Sequence, residues 1–587
     1  MSIEQEMQVT LNYSPLQRMR HSAAHVMAEA VQELFPDARF AIGPAIEDGF
    51  YYDFDLPRAL TPDDLPQIEQ RMQRIVGEKY PFLRERWPRE KALDYFGNKG
   101  QQYKVEIIEN LPDAEVGIYQ QGNFLDLCRG PHVENTGQIG PFKLMRVAGA
   151  YWRGDERRPM LQRIYGTAWF TQQELEEYLW RLEEAQKRDH RKLGRELELF
   201  HIDPTAPGMP YWLPRGLKVL HTLLDFWRDE HERRGYQEIA TPLINDYKLW
   251  QISGHQGHYQ DNMFFIPIDE HTKYGVKPMN CPNAMLVFNL KKRSYRELPL
   301  RFSDCSVLHR HEKSGTLHGL LRVQKLIQDD AHIFVMEEQV EQEIERIFAI
   351  VERFYAIFGL RYSFCLETRP DDYMGDLAMW NYAEVVLKNA LERHVGAGNY
   401  EIAEGEGAFY APKVAINMED ALGRVWTMGT IQLDFNLPQR FGCVYVDRNG
   451  KEKMPMVLHR AIYGSLERFI GILIEHFDGA FPAWLAPVQA MIIPIADRHM
   501  EYAEHVREVL RDAGVRVEID ERNERMNTKI RDAQLQKVPY MLVVGDKEAD
   551  AGLVALRLRT NENRGVMSLM QFVAYAREVI RAKSREL

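Results

Sequence analysis

Apolar and polar positions follow different periods in different parts of this chain, and the changes of period divide it into segments. Between residues 172 and 200, Arg, Glu and Lys occupy most positions while one apolar stripe recurs at helical spacing. The stripe consists of Leu175, Tyr178, Leu179, Leu182 and Ala185. A single apolar stripe on a charged helix is typical of a solvated connector. We predict one linker helix over 171–199, with folded domains on both sides.

The region before this linker has the mixed pattern of an α+β domain. Helical spacing covers residues 16–35, and short strands are expected around Phe40–Phe54, between Gly-rich turns. We predict one domain over 15–170, preceded by a tail over 1–14.

The large segment after the linker, residues 200–485, alternates long helices with strand-like runs. Helical spacing covers 216–235 and 336–358, whereas Ile431–Phe435 is typical of a buried strand. The stretch Phe481–Pro487, with a proline near each end, marks the expected boundary to the next domain.

The last segment, residues 486–587, has the rhythm of a βαβ fold. Strand, helix, strand, helix and strand follow one another over Val488–Ile495, Arg498–Ala513, Val515–Asp520, Thr528–Gln536 and Tyr540–Val544. This order predicts a small α/β domain in which helices pack on a parallel sheet.

Composition narrows the class of protein. The 587 residues are 45% hydrophobic and 27% charged, as expected of several globular domains, and the net charge of −12 gives no whole-molecule attraction to nucleic acid. Five scattered cysteines (128, 281, 305, 365, 443) favour a reducing compartment over a disulfide framework. The acidic N-terminus does not resemble a signal peptide, and no apolar run approaches the roughly 20 residues that span a bilayer. We expect a cytoplasmic protein that binds neither membrane nor DNA.

Three residues that are distant in sequence form a candidate metal site. Cys281, His332 and His459 offer one thiolate and two imidazoles, the ligand types that Zn²⁺ prefers, and would leave a fourth position open. The spacing is too wide for a zinc finger. Arg310 and Arg468 lie close to these ligands in sequence, which indicates that a phosphorylated ligand reacts near the metal.

Three further runs resemble the signature motifs of class II aminoacyl-tRNA synthetases. Gly235–Pro242 ends a long helix and enters a strand that stops at a proline. A strand, a Gly/Ser loop and a second strand would direct Arg310, Glu312 and Arg322 into one cleft, where guanidinium groups bind carboxylate and phosphate. Gly464–Arg468 opens a helix with an arginine one turn in. One such arginine could be a surface ion pair, but three motifs in order favour the class, whose active site is an antiparallel sheet.

Within that class the chain resembles the threonyl-tRNA synthetases from about residue 16 to its C-terminus. The runs that carry the resemblance are Met279–Pro282, Gln328–Phe334, Gly405–Tyr410, Gly429–Phe435, Tyr151–Asp155 and Met160–Trp169. The resemblance implies an N-terminal α+β editing domain, a class II antiparallel-sheet core and a C-terminal α/β anticodon-binding domain. It also implies a homodimer.

The resemblance implies a role for each residue of the central site. It assigns Cys281, His332 and His459 to zinc, Arg310 and Arg468 to catalysis, Gln328, Asp330 and Tyr410 to threonine, and Glu312, Arg322, Thr430 and Gln432 to ATP, which enters with Mg²⁺. The zinc would bind the amino and hydroxyl groups of threonine. Valine lacks the hydroxyl and would be rejected, whereas serine lacks only a methyl group, which is worth roughly 1–3 kcal/mol. The chain therefore needs a correction site.

A second cluster in the first domain is the expected correction site. His21 and His25 share one helical face, and Cys128 and His132 add a thiol and an imidazole. The cluster resembles the editing site of threonyl-tRNA synthetases, where the residues matching these four, Lys104 and Asp126 bind the terminal adenosine and activate water without metal. A second zinc site and a buried structural cluster are the alternatives.

The C-terminal loops carry the candidate tRNA contacts. Glu548 and Arg557 match positions that in the family contact anticodon bases, and side-chain hydrogen bonds to splayed bases are the usual route to RNA specificity. Charged loop residues that are merely solvated are the alternative.

One expected domain and three positions depart from the family pattern. The usual N-terminal β-rich domain is not expected here, because about 15 residues precede the first helix. Ala284 replaces a histidine that usually follows the cysteine ligand. Leu326 replaces a phenylalanine that stacks on adenine, and Thr427 replaces a glutamine that holds the nucleotide. A leucine offers dispersion contacts but no ring face for stacking, so we expect ATP to bind more weakly or in a different orientation.

The resemblance therefore implies an enzyme that forms threonyl-adenylate, transfers threonine to tRNA(Thr) and hydrolyses Ser-tRNA(Thr). The alternative is a synthetase-derived RNA-binding or regulatory paralogue with reduced or lost aminoacylation. A prolyl or seryl relative is disfavoured by the candidate editing residues.

Overall fold

The computed structural model describes residues 13–269, 272–420 and 423–587. The chain divides into two compact units, the first ending at Glu183 and the second beginning at Glu184. No helix among the described residues is long and apolar enough to cross a membrane.

The first unit builds two antiparallel sheets around a buried helix. Its elements are α1 (Pro15–Leu34), β1 (Arg39–Phe40), β2 (Ala45–Ile46), β3 (Gly49–Asp55), α2 (Asp64–Glu78), β4 (Leu83–Pro88), α3 (Arg89–Asn98), α4 (Gln102–Glu109), β5 (Glu115–Gln121), β6 (Phe124–Leu127), β7 (Phe142–Tyr151) and β8 (Met160–Ala168). One sheet has the order β1-β3-β8-β7, with β2 beside β3, and the other has the order β4-β5-β6.

Helix α1 begins at Pro15 because Ser14 caps it. The Ser14 hydroxyl accepts from Gln17 N at 3.2 Å and the Gln17 side chain accepts from Ser14 N at 2.9 Å, which forms a capping box. All thirteen residues from 19 to 31 are buried. The helix is therefore a core element, and its two histidines lie inside the unit.

The connector differs from the single helix predicted over 171–199. It consists of α5 (Gln172–Arg188) and α6 (His190–Glu196). The Asp189 side chain accepts from Arg191 N at 2.7 Å, and such a side chain starts a new helix rather than continuing the old one. His190 is fully buried and its Nδ1 lies 2.7 Å from Glu475 Oε1. The second half of the predicted linker is thus part of a packed domain.

The second unit contains the remaining elements. They are β9 (Phe200–His201), β10 (Tyr211–Trp212), α7 (Pro214–Glu232), β11 (Gln237–Glu238), β12 (Ile244–Asp246), α8 (Tyr247–Ile252), α9 (His255–His258), β13 (Phe265–Pro267), β14 (Lys273–Val276), α10 (Cys281–Phe288), β15 (Arg293–Ser294), β16 (Leu300–His309), β17 (Lys325–Val335), α11 (Val340–Phe358), β18 (Ser363–Glu367), α12 (Leu377–Val395), β19 (Glu401–Ala403), β20 (Lys413–Glu419), β21 (Val425–Asp434), α13 (Asn436–Arg440), β22 (Tyr445–Val446), β23 (Glu452–Lys453), β24 (Met456–Ala461), α14 (Leu466–His476), β25 (Ala490–Pro494), α15 (Met500–Asp512), β26 (Val517–Ile519), α16 (Met526–Leu535), β27 (Tyr540–Val544), α17 (Asp546–Ala551), β28 (Leu553–Leu558), β29 (Asn563–Ser568) and α18 (Leu569–Ala582).

The centre of this unit is an eight-stranded sheet with the order β11-β16-β17-β24-β21-β20-β18-β19. Its six central strands are antiparallel, as predicted for a class II core, and only the two edge strands pair in parallel. Helices α7, α11, α12 and α14 contribute apolar residues to one large core with the sheet. The opposite face of the central strands is free to carry polar chemistry.

The C-terminal sheet is mixed rather than parallel. Its order is β26-β25-β27-β28-β29, and the first three strands are parallel as predicted. Strands β28 and β29 are antiparallel to their neighbours. They form a hairpin whose turn places Asn561 at a φ of 70°, a conformation that Asn tolerates better than most residues. The strand–helix alternation predicted from the sequence ends before this hairpin, so the hairpin was not predicted.

Candidate active and editing sites

Three neighbouring strands, β17, β24 and β21, bring the central site together. His332 on β17 pairs in register with His459 on β24, and His459 pairs with Gln432 on β21. Because strands lie about 4.8 Å apart, paired residues direct their side chains to the same face. The two imidazole centroids lie 4.8 Å apart with planes at 84°.

Cys281, His332 and His459 form a donor set that fits a metal ion. Cys281 is the first residue of α10, and one ligand atom from each of the three residues lies within 4.8 Å of the others. Both ring nitrogens of His332 and Nδ1 of His459 are buried without a hydrogen-bond partner among the described residues. Buried lone pairs without partners are costly, and a bound cation would satisfy them.

Asp330 and the Arg310–Gln328 pair lie beside this donor set. Asn280 donates through Nδ2 to Asp330 Oδ2 at 2.9 Å, so the carboxylate is held while part of its acceptor capacity stays free. Burial raises the Asp330 pKa to about 6. Arg310 donates to Pro278 O at 3.2 Å and to Gln328 Oε1 at 3.3 Å.

The four candidate ATP-binding residues and Tyr410, a candidate threonine-binding residue, lie around the same cleft. The Tyr410 hydroxyl donates to Gln432 Oε1 at 2.8 Å, and Arg322 Nη2 lies 2.9 Å from Glu312 Oε2. All four of these side chains, together with Thr430, line a cavity of about 540 Å³ that also contains the metal donor Cys281 and both candidate catalytic arginines. This volume is in the usual range for small-molecule sites.

Arg468 is held at the start of α14. Ser465 caps the helix by accepting from Arg468 N at 3.2 Å. The guanidinium donates to Leu321 O and Thr427 O, both at 2.8 Å, and burial lowers its pKa to about 10. Gly464 precedes the cap at a φ of 68°, where a Cβ would lie 2.0 Å from Met428 O. Only glycine fits this turn.

Leu326 and Thr427, the two residues of the cleft that differ from the family pattern, have different surroundings. Leu326 lines the cavity and packs with Leu308 and Val323 in a small apolar cluster. Thr427 also lines it, and its hydroxyl donates to Asn417 Oδ1 at 3.0 Å. The cleft therefore contains an aliphatic surface at Leu326.

The second cluster, in the first unit, consists of His21, His25, Cys128 and His132. Cys128 Sγ lies 3.4 Å from His21 Nε2 and 3.3 Å from His132 Nε2. Burial lowers the pKa of His21 to about 3 and of His25 to about 4, and raises that of Cys128 to about 12. The cluster is therefore neutral near pH 7, and all four ligand atoms lie within 4.8 Å of one another.

Beside these four residues is a buried ion pair. Lys104 Nζ lies 2.6 Å from Asp126 Oδ1, and both side chains are only 3% exposed. The Tyr52 hydroxyl donates to Asp126 Oδ2 at 2.5 Å and accepts from Lys104 Nζ at 3.0 Å. His25 Nε2 is 3.9 Å from the same carboxylate. Six candidate editing residues thus lie together, five of them lining one open pocket.

The anticodon candidates lie in the C-terminal sheet region. Glu548 is on the short helix α17 and accepts from Gly545 N at 3.0 Å. Arg557 is on β28, opposite Met541 of β27.

Comparison with known proteins identifies the family. The model for the tRNA synthetase class II core domain (G, H, P, S and T) matches residues 264–477, that for the anticodon binding domain matches 489–579, and that for the threonyl and alanyl tRNA synthetase second additional domain matches 116–165. A threonine–tRNA ligase from Desulforamulus reducens is 51% identical over 566 residues, which are 96% of this chain and 89% of the relative. One from Acetivibrio thermocellus is 50% identical over 565 residues, 96% and 88% of the two chains. The chain belongs to the threonine–tRNA ligase family.

Solved structures of other family members agree. The RNA binding domain of threonyl-tRNA synthetase from Cryptosporidium parvum is 40% identical with a TM-score of 0.64, covering 67% of this chain and 98% of that one. A putative threonyl-tRNA synthetase from Aeropyrum pernix is 29% identical with a TM-score of 0.59, covering 68% and 97%. The N-terminal β-rich domain common in the family is not detected in this chain.

Sequence reasoning overlooked four residues that position the two sites. Asn280, Asp329 and Asp434 lie inside the runs that carry the resemblance to the threonine–tRNA ligase family, but no pattern in the sequence indicates a role for them. Asp329 is fully buried and accepts from the backbone N–H groups of Ile462, Tyr463 and Gly464, at 2.9 to 3.1 Å. Tyr52 belongs to a predicted strand region, and nothing in the sequence signalled its contact with Asp126.

Proposed function

We propose that this family member activates L-threonine with ATP, transfers it to tRNA(Thr) and hydrolyses Ser-tRNA(Thr). The observation that carries the proposal is one cavity whose lining includes two of the three metal donors, Cys281 and His459, together with Asp330 and both motif arginines. Selection of the amino acid and activation of its carboxylate can therefore take place side by side.

Amino-acid activation relies on Arg310 and Arg468. The threonine carboxylate attacks the α-phosphorus of Mg²⁺-bound ATP, the α–β phosphoanhydride bond breaks and pyrophosphate leaves. Arg310 and Arg468 are half-buried and pre-oriented by hydrogen bonds to Pro278, Leu321 and Thr427, so they can stabilise negative charge without reorganising. The terminal ribose hydroxyl of the tRNA then displaces AMP.

Threonine recognition relies on the polar side of the cavity. Asp330, held by Asn280, keeps an acceptor for the substrate hydroxyl. Gln328 and Tyr410 are placed to orient the carboxylate and the amine. Cys281, His332 and His459 would hold Zn²⁺, which when bound supplies Lewis-acid positions that a hydroxyl can occupy and a methyl group cannot. Valine is excluded on this basis, but serine is not.

Editing is proposed to take place in the first unit without metal. The neutral histidines His21, His25 and His132 and the Cys128 thiol lie beside the Lys104–Asp126 pair. The cluster can therefore bind the terminal adenosine, and a neutral imidazole nitrogen in it can accept a proton from water. Treatment with a chelator should therefore leave Ser-tRNA hydrolysis intact. Loss of hydrolysis that added Zn²⁺ restores would support the second-zinc alternative instead.

The remaining parts of the proposal concern partners and organisation. Glu548 and Arg557 are proposed to contact anticodon bases, and two chains are proposed to form a homodimer in the cytoplasm. The proposed domains are editing over 15–170, catalysis over 200–485 and anticodon binding over 486–587.

Threonine-dependent ATP–pyrophosphate exchange tests the activity. A zinc-replete preparation should support exchange with threonine, weaker exchange with serine and almost none with valine. Arg468→Lys is a sharp control, since lysine keeps the charge but cannot reach both carbonyl groups. Absence of exchange with threonine would contradict the enzyme and support the regulatory paralogue that the substitutions at 326 and 427 leave open.

A further inference from the structure

Asp434, at the end of strand β21, connects the backbone to a candidate zinc ligand. Its side chain is fully buried, and Oδ2 lies 2.8 Å from His459 Nε2. The other oxygen, Oδ1, accepts from Asn436 N at 2.7 Å and from Leu437 N at 3.1 Å, at the start of helix α13. The carboxylate therefore has one oxygen for the helix and one for the imidazole.

The contact decides where the His459 proton is. An ionised carboxylate can only accept hydrogen bonds, so a neutral His459 must carry its proton on Nε2. This leaves Nδ1 as the ring nitrogen with a free lone pair, and Nδ1 is buried without a partner among the described residues. That nitrogen belongs to the residue that groups with Cys281 and His332.

We propose that Asp434 is a positioning residue for the metal: it fixes His459 in the tautomer and ring orientation in which Nδ1 binds Zn²⁺. The inference rests on the proposed zinc site. A carboxylate behind a metal-bound histidine also makes the imidazole a better donor, and loss of such a partner typically costs about 10–100-fold in metal affinity.

The two histidines of the site differ in this respect. His332 has neither ring nitrogen hydrogen-bonded among the residues that the structure describes, whereas His459 has one nitrogen fixed. His459 is thus the preorganised ligand, and His332 must be ordered by the metal itself. The two backbone hydrogen bonds prevent Asp434 from rotating away, so the preorganisation exists before metal binds.

Two substitutions separate the tautomer effect from simple packing. In Asp434→Asn, the side-chain oxygen keeps its place at the helix start, since a flipped amide would direct its NH₂ group at two N–H donors. The NH₂ group then faces His459 Nε2 and favours the wrong tautomer, with the proton on Nδ1. In Asp434→Ser the helix cap is kept, the contact with His459 is lost, and neither tautomer is imposed.

The measurement is the Zn²⁺ dissociation constant of the full-length apo-protein, by competition with a chromophoric chelator. We expect both variants to bind at least tenfold more weakly, with Asp434→Asn the weaker of the two. The matched control is Asp376→Asn, since Asp376 also caps a helix, accepting from Ala378 N and Met379 N at 2.8 and 3.1 Å, but is exposed and distant from the ligands in sequence. It should keep the unsubstituted affinity.

A second readout is the absorption spectrum of the Co²⁺-loaded protein. The Cys281 thiolate-to-cobalt band should persist in both variants, while the ligand-field bands shift because one imidazole is displaced or weakened. If the unsubstituted protein binds no Zn²⁺, the proposed zinc site is wrong. If it binds and either folded variant binds within threefold of it, or Asp434→Ser is the weaker variant, the tautomer inference is wrong. Should Asp434→Asn not fold, the Asp434→Ser affinity alone decides.

Discussion

The buried Lys104–Asp126 pair in the first unit gives a prediction with a defined magnitude. The variant Lys104→Met keeps most of the side-chain volume and removes the ammonium group, which lies 2.6 Å from Asp126 Oδ1. The Asp126 carboxylate would still accept hydrogen bonds from the Tyr52 hydroxyl and from Leu127 N, the latter at 2.8 Å. Among the described residues it would have no positively charged partner at hydrogen-bond distance. Removing one partner of such a buried pair costs about 3–5 kcal/mol.

The double variant Lys104→Met/Asp126→Asn tests whether this cost comes from the unpaired charge. It leaves no buried charge at the pair, so it should be less destabilised than the sum of the single variants by about 1–3 kcal/mol. Lys143→Met is the matched control, because Lys143 pairs with Glu69 at 2.8 Å but is 47% exposed. A surface pair of this kind contributes about 0–1 kcal/mol.

Hydrogen–deuterium exchange of peptides from α1 and β6 is the appropriate assay, because a chain with two units need not unfold in one step. Lys104→Met should also slow Ser-tRNA(Thr) hydrolysis while leaving threonine-dependent ATP–pyrophosphate exchange unchanged, since that chemistry belongs to the second unit. The reasoning fails if Lys104→Met costs no more than Lys143→Met, or if the double variant equals the sum of the single ones.

Three further outcomes are expected. Leu326→Phe should lower the KM for ATP severalfold by adding a ring face, and an unchanged or higher KM contradicts this. Asp330→Asn should lower kcat/KM for threonine about 10–100-fold, the worth of a hydrogen bond to a charged group; an equal loss for valine would refute its role in hydroxyl recognition. Burial raises the Glu467 pKa from 4.5 to about 7, so the contribution of Glu467 to stability falls as pH rises between these values. Glu467→Gln should therefore raise the Tm at pH 8, relative to the unsubstituted protein, but not at pH 4.5. An equal change in Tm at both pH values would rule out this titration.

Local patterns predicted the existence of elements well and their limits less well. Tyr540–Val544 was predicted with the bounds that the structure shows, because a short apolar run between turn residues is unambiguous. The linker was predicted as one helix because its charge pattern continues past Asp189, whereas the break depends on one side-chain hydrogen bond. The hairpin of β28 and β29 was missed because the strand–helix rhythm carries no information about a final antiparallel pair.

The candidate site was predictable as a set of residues and not as a network. A resemblance names the side chains that touch substrates, so Cys281, His332 and His459 could be selected from sequence. It does not name those that hold them in place. Asp434 contacts His459, and Asp329 contacts the backbone of residues 462–464; both contacts join segments that are distant in sequence, and a buried aspartate in a strand has no distinguishing pattern. Residues of this kind can be identified only from the hydrogen bonds in the three-dimensional structure.

The two His/Cys clusters differ in electrostatics in a way that matches their proposed roles. In the Cys281/His332/His459 cluster the carboxylates of Asp434 and Asp330 lie close to the candidate ligands, and three ring nitrogens have no partner among the described residues, so a divalent cation would add bonds and balance charge. In the editing cluster Asp126 is already neutralised by Lys104, and Cys128 is a buried thiol whose pKa is raised to about 12. A metal there would have to displace the thiol proton beside a fixed ammonium group, which opposes binding. The same residue types therefore suit the two proposed roles, metal-based selection of a hydroxyl in one unit and metal-free hydrolysis in the other.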